Sequence, residues 1–173
     1  LLFSGVHKNP FIHPFSVKSL DIDKGIMAYA DMILDLSVLK GDVYIYNISG
    51  AVEEKITSAP RSKFYKMPRI FRDKILYSEE GYGGKLYLYS LLDKSTINVS
   101  QASGSFEGYD LEGDFVVYSY RATIDTSIYL YNLNTGGSVL LSSKGRFPSI
   151  QSKEVVWSDY RNGDSEIYLY NID

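Results

Sequence analysis

The stretch "VVWSDYRNGDSEIYLYNI" at residues 155–172 decides the fold, because its second half is repeated along the chain. Close variants are "GDVYIYNIS" at 41–49, "GKLYLYSLL" at 84–92 and "SIYLYNLN" at 127–134. Each variant alternates aromatic with aliphatic residues, the pattern of a strand whose two faces are both covered. The sequence therefore predicts four copies of one β-rich unit.

Two further features repeat in step with these strands. An aromatic anchor precedes each of them, at intervals of about 40 to 48 residues: Tyr29, Tyr77, Tyr118 and Trp157. An aliphatic residue lies seven positions before each anchor: Ile22, Ile70, Leu111 and Ile150. The short polar turns between them are typical of hairpins. Four antiparallel strands in each period of about 40–45 residues are typical of a propeller blade.

We therefore predict an all-β protein, a single four-bladed β-propeller over residues 1–173 with four antiparallel strands in each blade. The predicted blades are approximately 15–59, 66–100, 106–143, and 147–173 together with 1–5. The fourth repeat lacks an outer strand, and Leu1–Ser4 resembles the end of the third repeat. We expect this N-terminal strand to join the last blade and close the ring. A piece of a larger propeller, or half of a dimeric ring, is the alternative.

The core of this propeller is expected to contain the repeated residues. The four aliphatic positions, from Ile22 to Ile150, should be buried near the ring axis. The four aromatic anchors should lie behind them. Large apolar side chains that recur at matching positions of repeated strands pack against each other between neighbouring blades.

The residues 155–172 also resemble the repeats of TolB-like and WD-repeat-like β-propeller families, which include propeller modules of bacterial and archaeal surface proteins. The resemblance covers the chain as four blades. It implies a binding scaffold rather than a catalyst, and it favours an extracytoplasmic or cell-surface location.

The composition excludes several classes of function. A net charge of −3 supplies no broad basic surface for a nucleic-acid backbone. The chain has no cysteine, which excludes disulfide bonds and cysteine-ligated zinc. No apolar run approaches the length that spans a bilayer. The two histidines, His7 and His13, lie in the N-terminal segment without a nucleophile pattern. We expect a monomer that is not an enzyme, needs no cofactor and does not insert into membranes.

The residues two positions beyond each anchor are Asp31, Glu79, Tyr120 and Asp159. In a symmetric ring they would occupy equivalent places on the loop face, where a group of acids favours a positively charged or hydroxyl-rich ligand. Arg161 would pair with Asp159, which argues against a metal site. The alternative is that these acids only begin polar loops and bind the amides there.

Aromatic residues outside the repeated strands are further candidates, because exposed rings in loops stack on sugars or hold a peptide. With them, the predicted ligand-binding set contains seven residues: Asp31, Glu79, Tyr82, Tyr120, Asp159, Tyr160 and Arg161. No catalytic residue and no metal ligand is predicted.

Three functions compete at this point. The first is a non-catalytic scaffold that binds a protein, a peptide or a surface ligand on its loop face. The second is a lectin-like carbohydrate-binding module. The third is a polysaccharide lyase or glycosidase, for which Glu79 and Asp159 would be the pair to test, because a glycosidase needs two carboxylates roughly 5–10 Å apart.

Overall fold

The structure, a computed structural model, describes residues 19–35, 38–60, 63–80, 83–100, 104–121 and 124–173, with the backbone alone for 32–35 and 38–39. Every regular element within these residues is a β-strand, so the all-β prediction is confirmed. The same residues contain no helix able to cross a bilayer.

The strands form four successive antiparallel meanders, which we number in chain order. Meander 1 contains β1 (Leu20–Asp23), β2 (Ile26–Asp35), β3 (Val38–Asn47) and β4 (Val52–Lys55). Meander 2 contains β5 (Phe64–Phe71), β6 (Lys74–Glu80), β7 (Leu86–Ser90) and β8 (Thr96–Asn98). Meander 3 contains β9 (Ser105–Glu112), β10 (Phe115–Arg121), β11 (Thr126–Asn132) and β12 (Gly137–Ser142). Meander 4 contains β13 (Gly145–Gln151), β14 (Glu154–Asp159) and β15 (Glu166–Asn171).

The meanders make three hydrogen-bonded sheets rather than four. Meanders 1 and 2 share an eight-stranded sheet through one parallel bridge between Gly41 and Phe64, while meanders 3 and 4 are separate sheets of four and three strands. No strand of the described segments pairs with the outer edge of β15. The predicted closing strand, Leu1–Ser4, lies outside the described residues. The closed four-bladed ring therefore stays a prediction.

The aromatic anchors have the same role in every meander. Each anchor lies directly opposite the first tyrosine of the following strand, and the two rings pack with centroids 5.5 to 6.0 Å apart. The pairs are Tyr29–Tyr44, Tyr77–Tyr87, Tyr118–Tyr129 and Trp157–Tyr168. Aromatic pairs across an antiparallel ladder stabilise it beyond their buried area. The repeated aromatic residues in the sequence thus form the same cross-strand ring contact in each meander.

The hydrophobic core lies between consecutive meanders. We call the face that packs on the preceding meander the leading face, and the face that packs on the following meander the trailing face. Leu76, Leu86 and Leu88 form the trailing face of meander 2, and they pack against Leu111 and Tyr118 on the leading face of meander 3. The next cluster joins meanders 3 and 4 in the same way, with Val117, Ile128 and Leu130 against Ile150, Val155 and Trp157.

The repeated aliphatic residues belong to the leading faces, and this explains their different burial. Ile70, Leu111 and Ile150 are buried, and all four aromatic anchors are buried as well, as predicted. The prediction for Ile22 is wrong, because its side chain is 55% exposed. Each of the other three packs on the meander before it, whereas among the described residues no meander precedes meander 1 and covers Ile22.

Aspartates in the first strands connect neighbouring meanders. The Ile70 amide of meander 2 donates to Asp21 Oδ2 of meander 1 at 3.0 Å. The Ile150 amide of meander 4 donates to Asp110 Oδ2 of meander 3 at 3.1 Å. Asp21 and Asp110 occupy the same place in their repeats, directly before Ile22 and Leu111. Each satisfies a backbone donor that the bulged or twisted first strand of the next meander leaves unpaired.

Gly145 begins meander 4 where its backbone approaches meander 3 closely. A Cβ at this position would lie 2.5 Å from Ile128 Cγ1 and 2.7 Å from Trp157 Cδ1. Only glycine allows the two sheets to meet at this distance. The close approach places the loop between β12 and β13 beside the end of β14, where the candidate site lies.

Candidate functional site

Two of the three predicted acids lie at the ends of second strands, and the third, Asp31, lies within the longer strand β2. Asp31 is in β2, Glu79 in β6 and Asp159 at the end of β14, and Tyr120 takes the same place in β10. Tyr82 lies outside the described residues. The local surroundings of the four others differ from one meander to the next.

Glu79 is a buried carboxylate with a cationic partner. Lys63 Nζ donates to Glu79 Oε1 at 2.9 Å from the segment that leads into β5. This hydrogen bond raises the pKa of Lys63, because it favours the charged ammonium. The pair holds the segment before β5 against the end of β6, so the contact is structural.

Asp159 is fully buried and more fully satisfied. Its carboxylate accepts from Trp157 Nε1 at 2.8 Å, from the Arg161 amide at 3.0 Å and from Arg161 Nε at 2.9 Å. The Arg161 guanidinium holds the pKa of Asp159 well below its usual range, and the Trp157 hydrogen bond acts in the same direction against the effect of burial. Asp159 therefore stays ionised and fixes the turn of meander 4.

Arg161 completes this arrangement by covering an aromatic ring. Its guanidinium carbon lies 4.2 Å from the centroid of Tyr168, a cation–π distance. The local pairing expected between Arg161 and Asp159 is thus present. Asp159 also makes a side-chain hydrogen bond with Ser142 of meander 3, so the pair is occupied by contacts inside the protein and its charges largely cancel.

Asp31 and Tyr120 are in different environments again. Asp31 is half-buried and lies opposite Asp42 in the β2–β3 ladder. Tyr120 packs against Phe106, with ring centroids 5.9 Å apart, and against Tyr129. Within the described parts of the chain, no group of three potential metal-ligating side chains occurs. The ring of acids as a ligand site stays a prediction, and two of its members carry a cationic partner.

Sequence reasoning missed a third buried carboxylate, Asp42. Its Oδ1 accepts from Thr57 Oγ1 at 3.0 Å and from the Ala59 amide at 2.6 Å, and Lys55 Nζ lies 2.5 Å from Oδ2. The hydrogen bond and charge of Asp42 raise the pKa of Lys55. Asp42 ties the segment after β4 to the middle of β3. Its place directly before the repeated "VYIY" was the available signal.

A pocket of about 330 Å³ lies between meanders 3 and 4, at the same end as the predicted acids. It is formed by the loop before β11, the β12–β13 loop and the start of the loop after β14. Its wall contains six residues: Ile124, Asp125, Thr126, Lys144, Arg146 and Tyr160. Of the predicted set, Tyr160 lines it directly, and its chain neighbours Asp159 and Arg161 fix the turn that carries Tyr160.

Arg146 is positioned by contacts on both sides. Its Nε lies 3.4 Å from Glu107 Oε2, and Glu107 also pairs with Arg121, whose Nη1 is 3.0 Å from Oε1. The Arg146 guanidinium lies over the Tyr160 ring at 5.8 Å from its centroid. One carboxylate thus faces two guanidinium groups, which leaves positive charge at the pocket.

Two polar groups near this pocket, the Lys144 ammonium and the Thr126 hydroxyl, have no partner among the residues that the structure describes. None of the ion pairs among the described residues includes Lys144. Thr126 is only 2% exposed, and its Oγ1 has no hydrogen-bond partner in the described structure. Because this hydroxyl is almost inaccessible, it lies beneath the wall of the pocket, and the polar group that Lys144 contributes is the accessible one.

The cations of this pocket were missed because the sequence reasoning followed equivalent positions of the second strands. Lys144 and Arg146 lie instead in "SSKGRF", between two repeats, and the boundary before meander 2 has a similar pair, Arg61 and Lys63 in "RSKF". Two cations on either side of a glycine were the available signal. Their convergence with Tyr160 and Thr126 depends on the packing of meander 4 on meander 3.

A second pocket of about 290 Å³ lies at the opposite end, among the first hairpin turns of meanders 2, 3 and 4. Its wall includes Phe71, Phe115 and Ile150, with Arg72 and Lys153 at its edge. Arg72 lies over the Phe71 ring at 5.2 Å. This pocket is more apolar, and its polar groups do not converge as they do in the first one.

Comparison with known proteins shows the fold. The structure is similar to the β-propeller domain of the trilobed protease from Pyrococcus furiosus, with a TM-score of 0.71 at 11% identity over 94% of this chain. It is similar to TolB from Acinetobacter baumannii, with a TM-score of 0.65 at 17% identity over 91% of this chain. It is also similar to an acylaminoacyl peptidase from Pyrococcus horikoshii, with a TM-score of 0.66 at 13% identity over 93%. The fold is therefore of the β-propeller type.

The chain spans only part of these proteins, covering 55%, 41% and 31% of the respective chains. No protein-family model and no curated protein matches the sequence. The TolB-like resemblance is thus supported at the level of the fold. Chains from two protein complexes are among the other structures with this fold.

These comparisons correct one prediction. We predicted that the protein is not an enzyme, partly because propeller repeats resemble binding scaffolds. That prediction is wrong, because peptidases are among the solved structures that match this chain. At such low identity the match shows the fold alone, and a propeller fold does not exclude an enzyme.

Proposed function

We propose that this chain is a β-propeller-type domain that binds a protein or peptide ligand on its loop face. The observation that carries the proposal is the pocket between meanders 3 and 4. Lys144, Arg146 and Tyr160 all contribute to its wall. The proposal concerns binding, so it applies equally to a separate binding domain and to the propeller part of a larger peptidase.

The charges favour a carboxylate on the ligand. Lys144 supplies an ammonium that forms no ion pair with any described residue, and Arg146 supplies donors beside it. Charge-assisted hydrogen bonds from such groups to a carboxylate are about twice as strong as neutral ones. Asp125 at the wall would accept a backbone amide or a basic side chain of the same ligand. A peptide that presents an acidic side chain or its C-terminal carboxylate combines these features.

The geometry is less favourable for the two alternatives. Stacking on a sugar needs a free aromatic face, but Arg146 lies over the ring of Tyr160. A glycosidase needs one carboxyl group that can donate a proton, but Glu79 is paired with Lys63 and Asp159 with Arg161. No observation favours the carbohydrate module or the glycosidase over the peptide.

The experiment is selection from a phage-displayed library of random peptides, followed by affinity measurement with the selected peptides by fluorescence anisotropy. We expect selected peptides to be enriched in Asp and Glu. The double substitution Lys144→Gln with Arg146→Gln should weaken binding at least about tenfold, because charge-assisted hydrogen bonds contribute about 1.5–3 kcal/mol each and 1.4 kcal/mol is a factor of ten.

The matched control is Lys153→Gln, a cation of the same meander at the opposite end of the β13–β14 hairpin. It should leave the affinity unchanged. Enrichment of basic or uncharged peptides would contradict the proposal. So would an affinity that the double substitution does not change while the thermal unfolding profile stays that of the parent chain.

The resemblance adds a location to this proposal. An extracytoplasmic or cell-surface protein meets folded proteins and peptides rather than nucleic acid, which agrees with a net charge of −3. We include that location in the proposal as an inference from similarity alone.

A further inference from the structure

The second pocket, at the hairpin-turn end of the meanders, combines an apolar wall with a charged edge. Its apolar part comes from three consecutive meanders, through Phe71, Phe115 and Ile150. Its charged side chains are two cations and two acids: Arg72, Lys153, Glu112 and Asp114. Its volume of about 290 Å³ lies at the lower end of the range for small-molecule pockets, about 300–1,000 Å³. The size and the lining thus suit a small molecule rather than a folded partner.

The turns that carry the charged residues are held in place by one repeated hydrogen bond. In meanders 2, 3 and 4, the residue directly after the third strand donates its amide to a carbonyl of the first hairpin turn. The pairs, donor first, are Leu91–Asp73, Leu133–Asp114 and Ile172–Lys153, at 2.7 to 2.8 Å. Because the turns are fixed before a ligand arrives, binding at their edge loses less affinity to ordering of the protein.

Both cations occupy backbone positions that favour glycine. Arg72 has a φ of +55°, and Gly113 takes the same first place of the turn in meander 3. Lys153 has a φ of +66°, in the second place of the turn, where meander 1 has Gly25. Side chains in this left-handed region strain the backbone, and such strain is concentrated at functional sites. Backbone conformation alone would therefore favour glycine at both positions.

The cations are not used inside the described structure. None of the ion pairs among the described residues includes Arg72 or Lys153. The Arg72 guanidinium lies over the Phe71 ring, which holds it at the edge of the pocket. Of the acids, Asp114 Oδ2 accepts from Asn134 Nδ2 at 3.0 Å, whereas Glu112 forms no ion pair with any described residue. Charges of both signs are thus available to a ligand.

The arrangement of these charges indicates the class of ligand. The cations belong to meanders 2 and 4 and the acids to meander 3, so opposite charges are spread along the edge. A purely anionic ligand would be repelled by Glu112, and a purely cationic ligand would be repelled by Arg72 and Lys153. A ligand that has a carboxylate, an ammonium group and an apolar body matches both charges and the apolar wall.

We propose that this pocket binds a free α-amino acid with a large apolar side chain. Arg72 and Lys153 attract its carboxylate, Glu112 attracts its ammonium group, and its side chain packs on Phe71 and Phe115. The site lies at the opposite end of the meanders from the peptide pocket. It does not depend on the proposed function.

The first experiment is isothermal titration calorimetry with L-phenylalanine and L-leucine. We expect at least one of them to bind with a dissociation constant of about 1 mM or lower. N-acetyl-L-phenylalanine lacks the ammonium, L-phenylalanine amide lacks the carboxylate and L-alanine lacks the large side chain. Each should bind at least about tenfold more weakly than L-phenylalanine, because each lacks one matched group. No binding of either amino acid at about 10 mM, or equal binding of the analogues, would overturn the proposal.

Substitutions then test the residues. Arg72→Gln and Glu112→Gln should each weaken the binding of L-phenylalanine at least about tenfold, because each removes a charged partner. The matched control is Lys24→Gln, since Lys24 takes the place of Arg72 in the turn of meander 1 and does not line the pocket. It should leave the affinity unchanged. Equal effects of Arg72→Gln and Lys24→Gln would contradict the assignment.

Lys153→Gly separates binding from folding. It should weaken the binding of L-phenylalanine, yet it should not lower the midpoint of urea unfolding, because glycine suits the left-handed backbone there. A lower midpoint with unchanged binding would mean that Lys153 serves the fold, and it would overturn its role in the site. The double substitution of Lys144 and Arg146 to Gln should not change the affinity for L-phenylalanine, since those residues line the other pocket. A loss of this affinity in the double variant would contradict a separate site.

Discussion

Meanders 3 and 4 have the same residue pattern on their trailing faces, but the face is buried in meander 3 and exposed in meander 4. In meander 3, Val117 and Leu130 are buried because meander 4 packs on them. In meander 4 the equivalent residues, Val156 and Leu169, are exposed, although they lie in the same register. The comparison shows that residue pattern defines what kind of surface a strand offers, while burial depends on whether a neighbour is present.

The first prediction tests the difference in burial between the two trailing faces. Leu130→Ala should lower the free energy of unfolding by about 2–5 kcal/mol, because it leaves a cavity in the core between meanders 3 and 4. Leu169→Ala, the same change at the equivalent exposed position, should cost less than about 0.5 kcal/mol in dilute protein. Urea denaturation followed by circular dichroism measures both. Equal costs would mean that the two faces have the same surroundings in solution.

The second prediction asks whether meander 4 keeps its own order despite its exposed face. Asp159→Asn should cost about 1–3 kcal/mol at pH 7, because it removes the ionised acceptor of Trp157 and Arg161. These contacts hold the turn after β14, and none of them involves the exposed trailing face. Urea unfolding of the variant and the parent chain at pH 7 measures the cost, and a cost near zero would contradict it.

The pH dependence of this effect has a definite sign. The folded-state pKa of Asp159 lies below the ordinary value of about 3.9. Its contribution to stability is therefore fully present above that ordinary value and is lost as the pH falls towards the folded-state pKa. The difference in unfolding free energy between the parent chain and Asp159→Asn should shrink between pH 5 and pH 3. A difference that grows as the pH falls would contradict the assignment.

The third prediction concerns the aspartates that bridge neighbouring meanders. Asp110→Ala removes the acceptor for the Ile150 amide and for Ser149 Oγ, 2.8 Å away. It should cost about 1 kcal/mol, the usual net value of a hydrogen bond. Asp21→Ala should cost a similar amount at the boundary of meanders 1 and 2. Asp164→Ala, at an exposed position of the same chain, is the control, and a loss equal to that control would remove the bridging role.

The repeated strands could be predicted from the sequence because they depend on local alternation and on period. Tyr77 and Tyr87, or Tyr118 and Tyr129, pair inside one meander, so the pattern of one repeat is enough to indicate the contact. The burial of Ile22 could not be predicted in the same way. The burial of this side chain depends on a neighbouring meander. Equivalent residues in four repeats do not show which repeat lacks such a neighbour.

In the candidate site, too, contacts between residues close in sequence could be predicted, whereas contacts between different meanders could not. Asp159 and Arg161 are two residues apart, and their pairing was expected from the sequence and is present. The convergence of Lys144, Thr126 and Tyr160 joins three different loops of two meanders. Spacing along the chain does not contain that information, because the close approach at Gly145 brings the loops together.

The core clusters described above each join one meander to its neighbour in the sequence, and this has a kinetic consequence. When repeats are stabilised mainly by adjacent repeats, the chain behaves as a one-dimensional series in which local opening starts at the ends. Amide hydrogens of β6 and β10, in the two meanders with a neighbour on each side, should exchange with solvent most slowly. Those of β14 should exchange faster, because among the described residues its meander packs on one neighbour.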